Sequence, residues 1–143
     1  MRGDRIPESD HVSRYCKGTH IAEGGRISGA AFRLRESEDY LSVNWLEFLN
    51  LPDRASEIVE IKRVLATKMT PSTSARIAVL NVGEVLDHVL RCSPDSRMLR
   101  IQHEPLDEPP DPSHSGIFGL GWNDDLISDL IAEVVEQTYG ARP

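Results

Sequence analysis

The chain has 143 residues, 39% of them hydrophobic and 27% charged, with 23 acidic against 16 basic side chains for a net charge of −7. That length supports one domain with a sizeable core, and the interspersed charges exclude wholesale disorder. The acidic balance opposes a surface that tracks nucleic-acid phosphates, a task carried by Lys and Arg, and suits a basic protein partner.

Residues 1–10, MRGDRIPESD, hold five charges and one large aliphatic residue, and are expected to form a flexible lead-in to a single domain over 11–143. They lack the apolar core of a signal peptide, and no later run is long enough to span a membrane. A cytoplasmic protein is therefore expected. Cys16 and Cys92 lie far apart and outside any CxxC pair, which predicts two buried, reduced thiols and no zinc site.

HVSRYC (11–16) is rich in β-formers and predicts a first strand. AEGGR follows as a turn, since Gly24 and Gly25 both tolerate positive φ. In GAAFRLR, Phe32 and Leu34 alternate with Arg33 and Arg35, predicting a half-buried second strand. ESED makes the turn of a hairpin into YLSVNW, where Leu41, Val43 and Trp45 share one face and Ser42 and Asn44 the other.

The segment LPDRASEIVEIKRVLATKM predicts a helix capped by Asp53 or Ser56, with Ile58, Ile61 and Leu65 at helical spacing and Val59 and Val64 widening the apolar stripe. SARIAVLNVG reads as a strand buried on both faces. NVGEVLDHVLRC predicts a short helix with Asn81 and Glu84 at capping-box spacing and Val85, Leu86, Val89 and Leu90 as its apolar stripe. RMLRIQHE predicts a strand with Leu99, Ile101 and His103 on one face. DEPPDPSHSGIFGLGW (107–122) reads as a proline-stiffened connector clamped onto the core. A last helix begins at Asn123, carries the stripe Leu126, Ile127, Leu130, Ile131, Val134 and Val135, and ends at Gly140. The expected fold is α+β: a mixed or mainly antiparallel sheet of about five strands, with two or three helices packed on one face.

Two groups of polar residues are candidates for chemistry. His11, Arg14, Ser42, Asn44 and Glu47 would meet if the first strand neighbours YLSVNW. They would combine a general base near neutral pH with anion and oxyanion binders. The chain order Arg14, Ser42, Glu104 also resembles the Arg–Ser–Glu order of ADP-ribosyltransferase-type folds. The resemblance covers three residues and implies a transferase reading of the same cluster.

The second group, Asp111, His114 and Trp122, lies in the proline- and glycine-rich segment and is a binding candidate. A phosphate loop there is disfavoured, because Asp124 and Asp125 would occupy the helix start that should receive the anion. Asp111, His114, Asp124 and Asp125 could in principle suit Mg²⁺ or Mn²⁺, but their spacing matches neither an EF-hand loop nor an HExxH helix. No metal and no cofactor are expected. His88, between Asp87 and Arg91, reads as solvated, and Arg33 and Arg35 as partners of nearby acids.

Two functions of different classes follow. The first is an accessory protein, a regulator or inhibitor in a bacterial-type system that acts through a protein partner or a second copy of itself. The alternative is a small hydrolase or ADP-ribosyltransferase-like enzyme using His11 or Arg14 with Ser42, Asn44 and a carboxylate. A concavity joining these residues favours the enzyme, and a flat apolar patch favours the partner. The charge balance yields a test of its own. Duplex DNA should bind only weakly at physiological salt in a filter or fluorescence assay. Tight binding with a steep salt slope would overturn this and direct attention to Arg33, Arg35 and the helix near 54–68.

Overall fold

The residues of HVSRYC form β1 (His11–Cys16), and its pairing organises the sheet. In the computed structural model, which describes all 143 residues, β1 pairs antiparallel with β3 (Arg76–Asn81) along its whole length. On its other side lies β2 (Leu41–Trp45), but only Val12 opposite Trp45 and Ser13 opposite Asn44 are in register. Beyond Ser13 the two strands part. The remaining strands are β4 (Arg100–His103), β7 (His114–Phe118) and β8 (Gln137–Gly140), giving the order β4-β7-β2-β1-β3-β8, with every pair antiparallel. A separate two-stranded hairpin joins β5 (Leu106–Asp107) to β6 (Pro110–Asp111).

Three helices cover the sheet. α1 (Arg54–Ala66) starts where Asp53 accepts a hydrogen bond from the Ser56 amide, and α2 (Val82–Cys92) where Asn81 accepts from the Glu84 amide. α2 and α3 (Asp125–Glu133) share one face. Val85 and Val89 of α2 and Ile127, Leu130 and Ile131 of α3 pack there with Val12, Val43, Leu80, Ile101 and Ile117. α1 lies on the opposite face, where Ile58, Ile61 and Leu65 meet Ile77 and Val79. The architecture is α+β, with the two-helix face carrying the larger core.

Four local expectations are corrected. GAAFRLR is not a strand: residues Gly29–Phe32 form a 3-10 turn, and Phe32 and Leu34 are buried without pairing to the sheet. A close approach explains the turn, since a Cβ on Gly29 would fall 1.9 Å from the Asp129 carboxylate of α3. The supposed connector contains β7, a central strand buried between β2 and β4. Its Gly116 leaves room for the Tyr40 ring, which a Cβ would meet at 2.4 Å. The last helix is shorter than its stripe suggests. It ends at Glu133, and the chain joins the free edge of β3 as β8, so Gly140 is a strand residue and not a helix cap. Asn123 does not cap it either: the N-cap is Asp124, while Asn123 sits at φ 62° in the turn before it. Finally, Cys16 is buried but Cys92 is exposed.

The lead-in is laid along the sheet. Arg5 bridges Gln102, the Ile6 amide donates to the Ile101 carbonyl at 3.0 Å, and Ile6 itself enters the core. Its one large aliphatic residue anchors the segment over the outer edge of β4, which would otherwise present unpaired amides.

The α3 contact gives a stability test. Leu130 is 7% exposed, and Leu126 on the same helix is 49% exposed. Leu130→Ala should cost about 2–5 kcal/mol and lower Tm accordingly, with Leu126→Ala close to the parent. Equal melting of both variants would contradict this packing.

Candidate functional site

Where β1 and β2 part, the Ser42 carbonyl loses the strand partner it would have had. Arg14 fills the gap. Its Nη1 donates to the Ser42 carbonyl at 2.8 Å, and its Nε donates to the Ala31 carbonyl at 2.9 Å. No carboxylate forms an ion pair with Arg14, and its Nη2 makes no hydrogen bond within the protein. Burial, the largest influence, pulls its pKa below the usual guanidinium value. A guanidinium in such a place remains charged, so a positive charge stands in the wall of the sheet with no carboxylate in contact, Cys16 and then Glu38 opposing the effect of burial from a distance.

That wall belongs to a cleft of about 830 Å³. Strand alternation puts Ser13, Asn44 and His114 on one face, and the register sets Ser13 opposite Asn44 and Asn44 opposite His114. These three make a cross-strand row in the cleft, with Ser42 one step along β2. Ile61, Leu65, Lys68 and Met69, at the C-terminal end of α1, close one side. The 30–38 segment closes another, and Leu106 and Trp122 complete the lining.

The lining carries five basic residues, Arg14, Lys17, Arg33, Arg35 and Lys68, against the acids Glu36 and Glu38. Two of the five are neutralised from outside: Arg33 by Asp125 at 2.9 Å, and Lys68 by Asp111. Arg14, Lys17 and Arg35 form no ion pair. The local field is nonetheless positive at His20, whose pKa is lowered by burial first and then by Lys17, Arg14 and Arg33. An anion is favoured here although the whole chain is acidic.

His114 is the acid–base candidate. Its Nδ1 lies 2.9 Å from the Glu104 carbonyl, which can only accept, so Nδ1 carries the proton and Nε2 the lone pair. Nε2 has no partner in the protein. Burial lowers the His114 pKa from 6.5, outweighing the opposing pull of the Glu104 hydrogen bond and of Asp111. The ring is held neutral at physiological pH, with a free lone pair.

Asn44 has a different part from the oxyanion donor expected of it. Its amide donates to Asp111 at 2.8 Å and to Ser113 at 2.9 Å, so both N–H groups are spent and only its carbonyl oxygen remains unpaired. Asp111, 1% exposed, lies behind Asn44 and also receives Lys68. It therefore acts on the cleft through Asn44 and the end of α1, and does not line it.

Other candidates fall outside. His11 shares the sheet face of Ser13, but its Nδ1 is 2.7 Å from Glu47 and its Nε2 3.5 Å from Glu136, and neither His11 nor Glu47 lines the cleft. Glu104 gives one carboxylate oxygen to Arg2 at 3.2 Å and the other to Gln102 at 3.0 Å. The trio Arg14, Ser42 and Glu104 therefore does not converge. Asp124 and Asp125 are bound to Arg97 and Arg33, and no cluster of three or more His, Cys, Asp or Glu is placed to hold a metal ion. His88 pairs with Glu133 across α2 and α3 at 2.8 Å. The sequence reading missed Lys68 and Tyr15, which lie on the same cleft. Lys68 had a signal, as a lone cation one turn beyond a helix whose apolar stripe had ended.

The Lys68–Asp111 pair gives a test of this wall. Lys68→Met leaves a buried carboxylate without its cation and should cost toward the lower end of about 3–5 kcal/mol. Adding Asp111→Asn should restore much of it. Denaturant midpoints that are equal for the single and double variants would show that the pair does not hold the wall.

Comparison with protein-family models, with curated proteins and with solved structures gave no match, so the site is read from its own geometry.

Proposed function

We propose that the protein is a small enzyme of the hydrolase or transferase class whose cleft takes an anionic substrate. Arg14 binds the anion and His114 accepts the proton. The observation that carries this reading is the charge of Arg14, set in the wall with no carboxylate in ion-pair contact and with Nη2 unspent. Burying a cation is costly unless a counter-charge arrives, and an incoming phosphate or carboxylate supplies one. His114 then supplies chemistry that simple binding does not require: a neutral imidazole in a fixed tautomer, with one ring nitrogen free, on a residue that lines the same cleft. Ser13, Ser42 and Tyr15 line that cleft, and each carries a hydroxyl from which a base could take a proton.

The accessory-protein reading has less local support. The exposed apolar side chains outside the cleft, among them Phe48, Leu51, Val59, Leu90, Met98 and Leu126, come from several segments, and no single helix or strand carries more than one of these six.

The binding half is tested by titrating the full chain with pyrophosphate in a calorimeter. Arg14→Met should weaken binding by roughly tenfold or more, the weight of hydrogen bonds to a charged group. Because Arg14 also fills the gap in the sheet, Arg35→Met serves as a second variant that leaves the gap intact, and should weaken binding several-fold. Arg91→Met on α2, paired with Asp87, is the control. Equal affinity across all of them would refute the anion site.

The chemical half has a pH signature. The base form of His114 exists above its pKa, which is lowered from 6.5. Hydrolysis of p-nitrophenyl phosphate should therefore rise with pH through a point below 6.5 and reach its plateau by neutrality. The limb should vanish in His114→Asn. A limb at or above 6.5, or one that survives in that variant, would remove His114 from the proposed role.

A further inference from the structure

Trp122 is 59% exposed, and it lines the same cleft as Arg14. Exposing an indole forgoes the burial of one of the largest apolar side chains, and the chain's other tryptophan does not do so. Trp45 packs against Phe48 and His103 and donates its indole N–H to Asp10 at 2.9 Å. The Trp122 indole N–H has no partner in the protein. The loop that carries it is fixed on its C-terminal side: Asn123 turns the chain at φ 62°, and Asp124 is held by Arg97 at 2.7 Å. The acids next to this ring would repel a phosphate if left bare, but Asp124 is neutralised by Arg97 and Asp125 by Arg33.

We infer that the anion taken by the cleft is the phosphate of a free nucleotide, whose base stacks on Trp122 while Arg14 holds the phosphate. This rests on the anion-binding reading above and specifies its ligand. A volume of about 830 Å³ lies within the range of small-molecule sites and admits a nucleotide. The lining mixes cations with apolar side chains such as Leu34 and Leu106, as an amphiphilic ligand requires. A flat aromatic group and an anionic group on one small molecule meet both demands. Stacking on an exposed aromatic ring is tolerant of base identity, so the class of ligand is specified and the base is not. A free nucleotide is favoured over a nucleic-acid strand because the remainder of the surface is acidic, with a net charge of −7 for the chain.

The experiment compares AMP with ribose 5-phosphate, which carries a hydroxyl where AMP carries its base, by calorimetry on the full chain, alongside the difference in tryptophan emission between the parent and Trp122→Ala. AMP should bind more tightly by roughly fivefold to a hundredfold, the weight of one base stacked on an aromatic ring, and should quench the exposed indole. Trp122→Ala should bring the ratio of the two affinities close to one, and Trp122→Phe should keep most of it. A ratio near one in the parent, or a ratio that persists in Trp122→Ala, overturns the inference while leaving the anion site standing. A short single-stranded oligonucleotide that binds more tightly than AMP at physiological salt overturns the free-nucleotide assignment. If pyrophosphate fails to bind the parent, or binds Arg14→Met and Arg35→Met equally well, the anion reading itself fails and takes this one with it.

Discussion

Everything distinctive in this molecule depends on the parting of β1 from β2 after two paired residues, and on the guanidinium that fills the gap. A sheet cannot open in its middle without leaving carbonyls unpaired, and an unpaired buried carbonyl is costly. Arg14 satisfies two at once, Ser42 on the strand and Ala31 on the 3-10 turn, because its donors form a rigid fork. A lysine could not reach both with fixed geometry. The same substitution of side chain for strand brings a positive charge into the wall and opens the space beside it. Structure and candidate chemistry thus have one origin.

The opposite flank shows how the sheet makes room. β7 is a central strand, buried on both faces, yet its sequence is His-Ser-Gly-Ile-Phe. The Tyr40 ring lies over Gly116, 4.8 Å from the Phe118 ring and 5.9 Å from that of His114, and so forms a flank for the imidazole. Packing on that side limits water around His114, and the loss of water is what lowers its pKa. The position of the base on a strand, and not on the loop that its prolines and glycines suggested, holds it in register with Asn44.

Much of this was legible in the sequence where a segment interacts mainly with its own face of the core. The stripe of α1, the Asn81 cap of α2 and the apolar run of β3 each declare themselves through periodicity or a cap, and each is where it was expected except that Val59, counted into the α1 stripe, is 66% exposed. Burial of Phe32 and Leu34 against exposed Arg33 and Arg35 was also legible, but alternation reports which side chains face inward and not whether a neighbouring strand exists. β7 was hidden because Tyr40, distant in sequence, requires small residues there, and small residues resemble a loop. Val134 and Val135 continued a helical stripe, yet the free edge of β3 offered hydrogen bonds that a further helical turn could not match. Of the candidate site, Arg14, Ser42, Asn44 and His114 could be named, but the pairing that decides which of them meet is a property of the whole sheet.

That pairing settles the roles of the two histidines on this face. His11 and His114 were comparable by type, and both stand on strands of the same sheet. His11 lies between two carboxylates, with Glu47 at Nδ1 and Glu136 at Nε2, so each ring nitrogen has a protein neighbour of opposite charge when protonated. Such a ring ties the end of β2 to the start of β8 and has no nitrogen to offer a ligand. His114 spends Nδ1 on a backbone carbonyl, which fixes its tautomer without adding charge, and leaves Nε2 unpaired. A base requires a lone pair, a fixed orientation and a neutral resting state together. Of these two histidines, only the one next to Asn44 has its lone pair free.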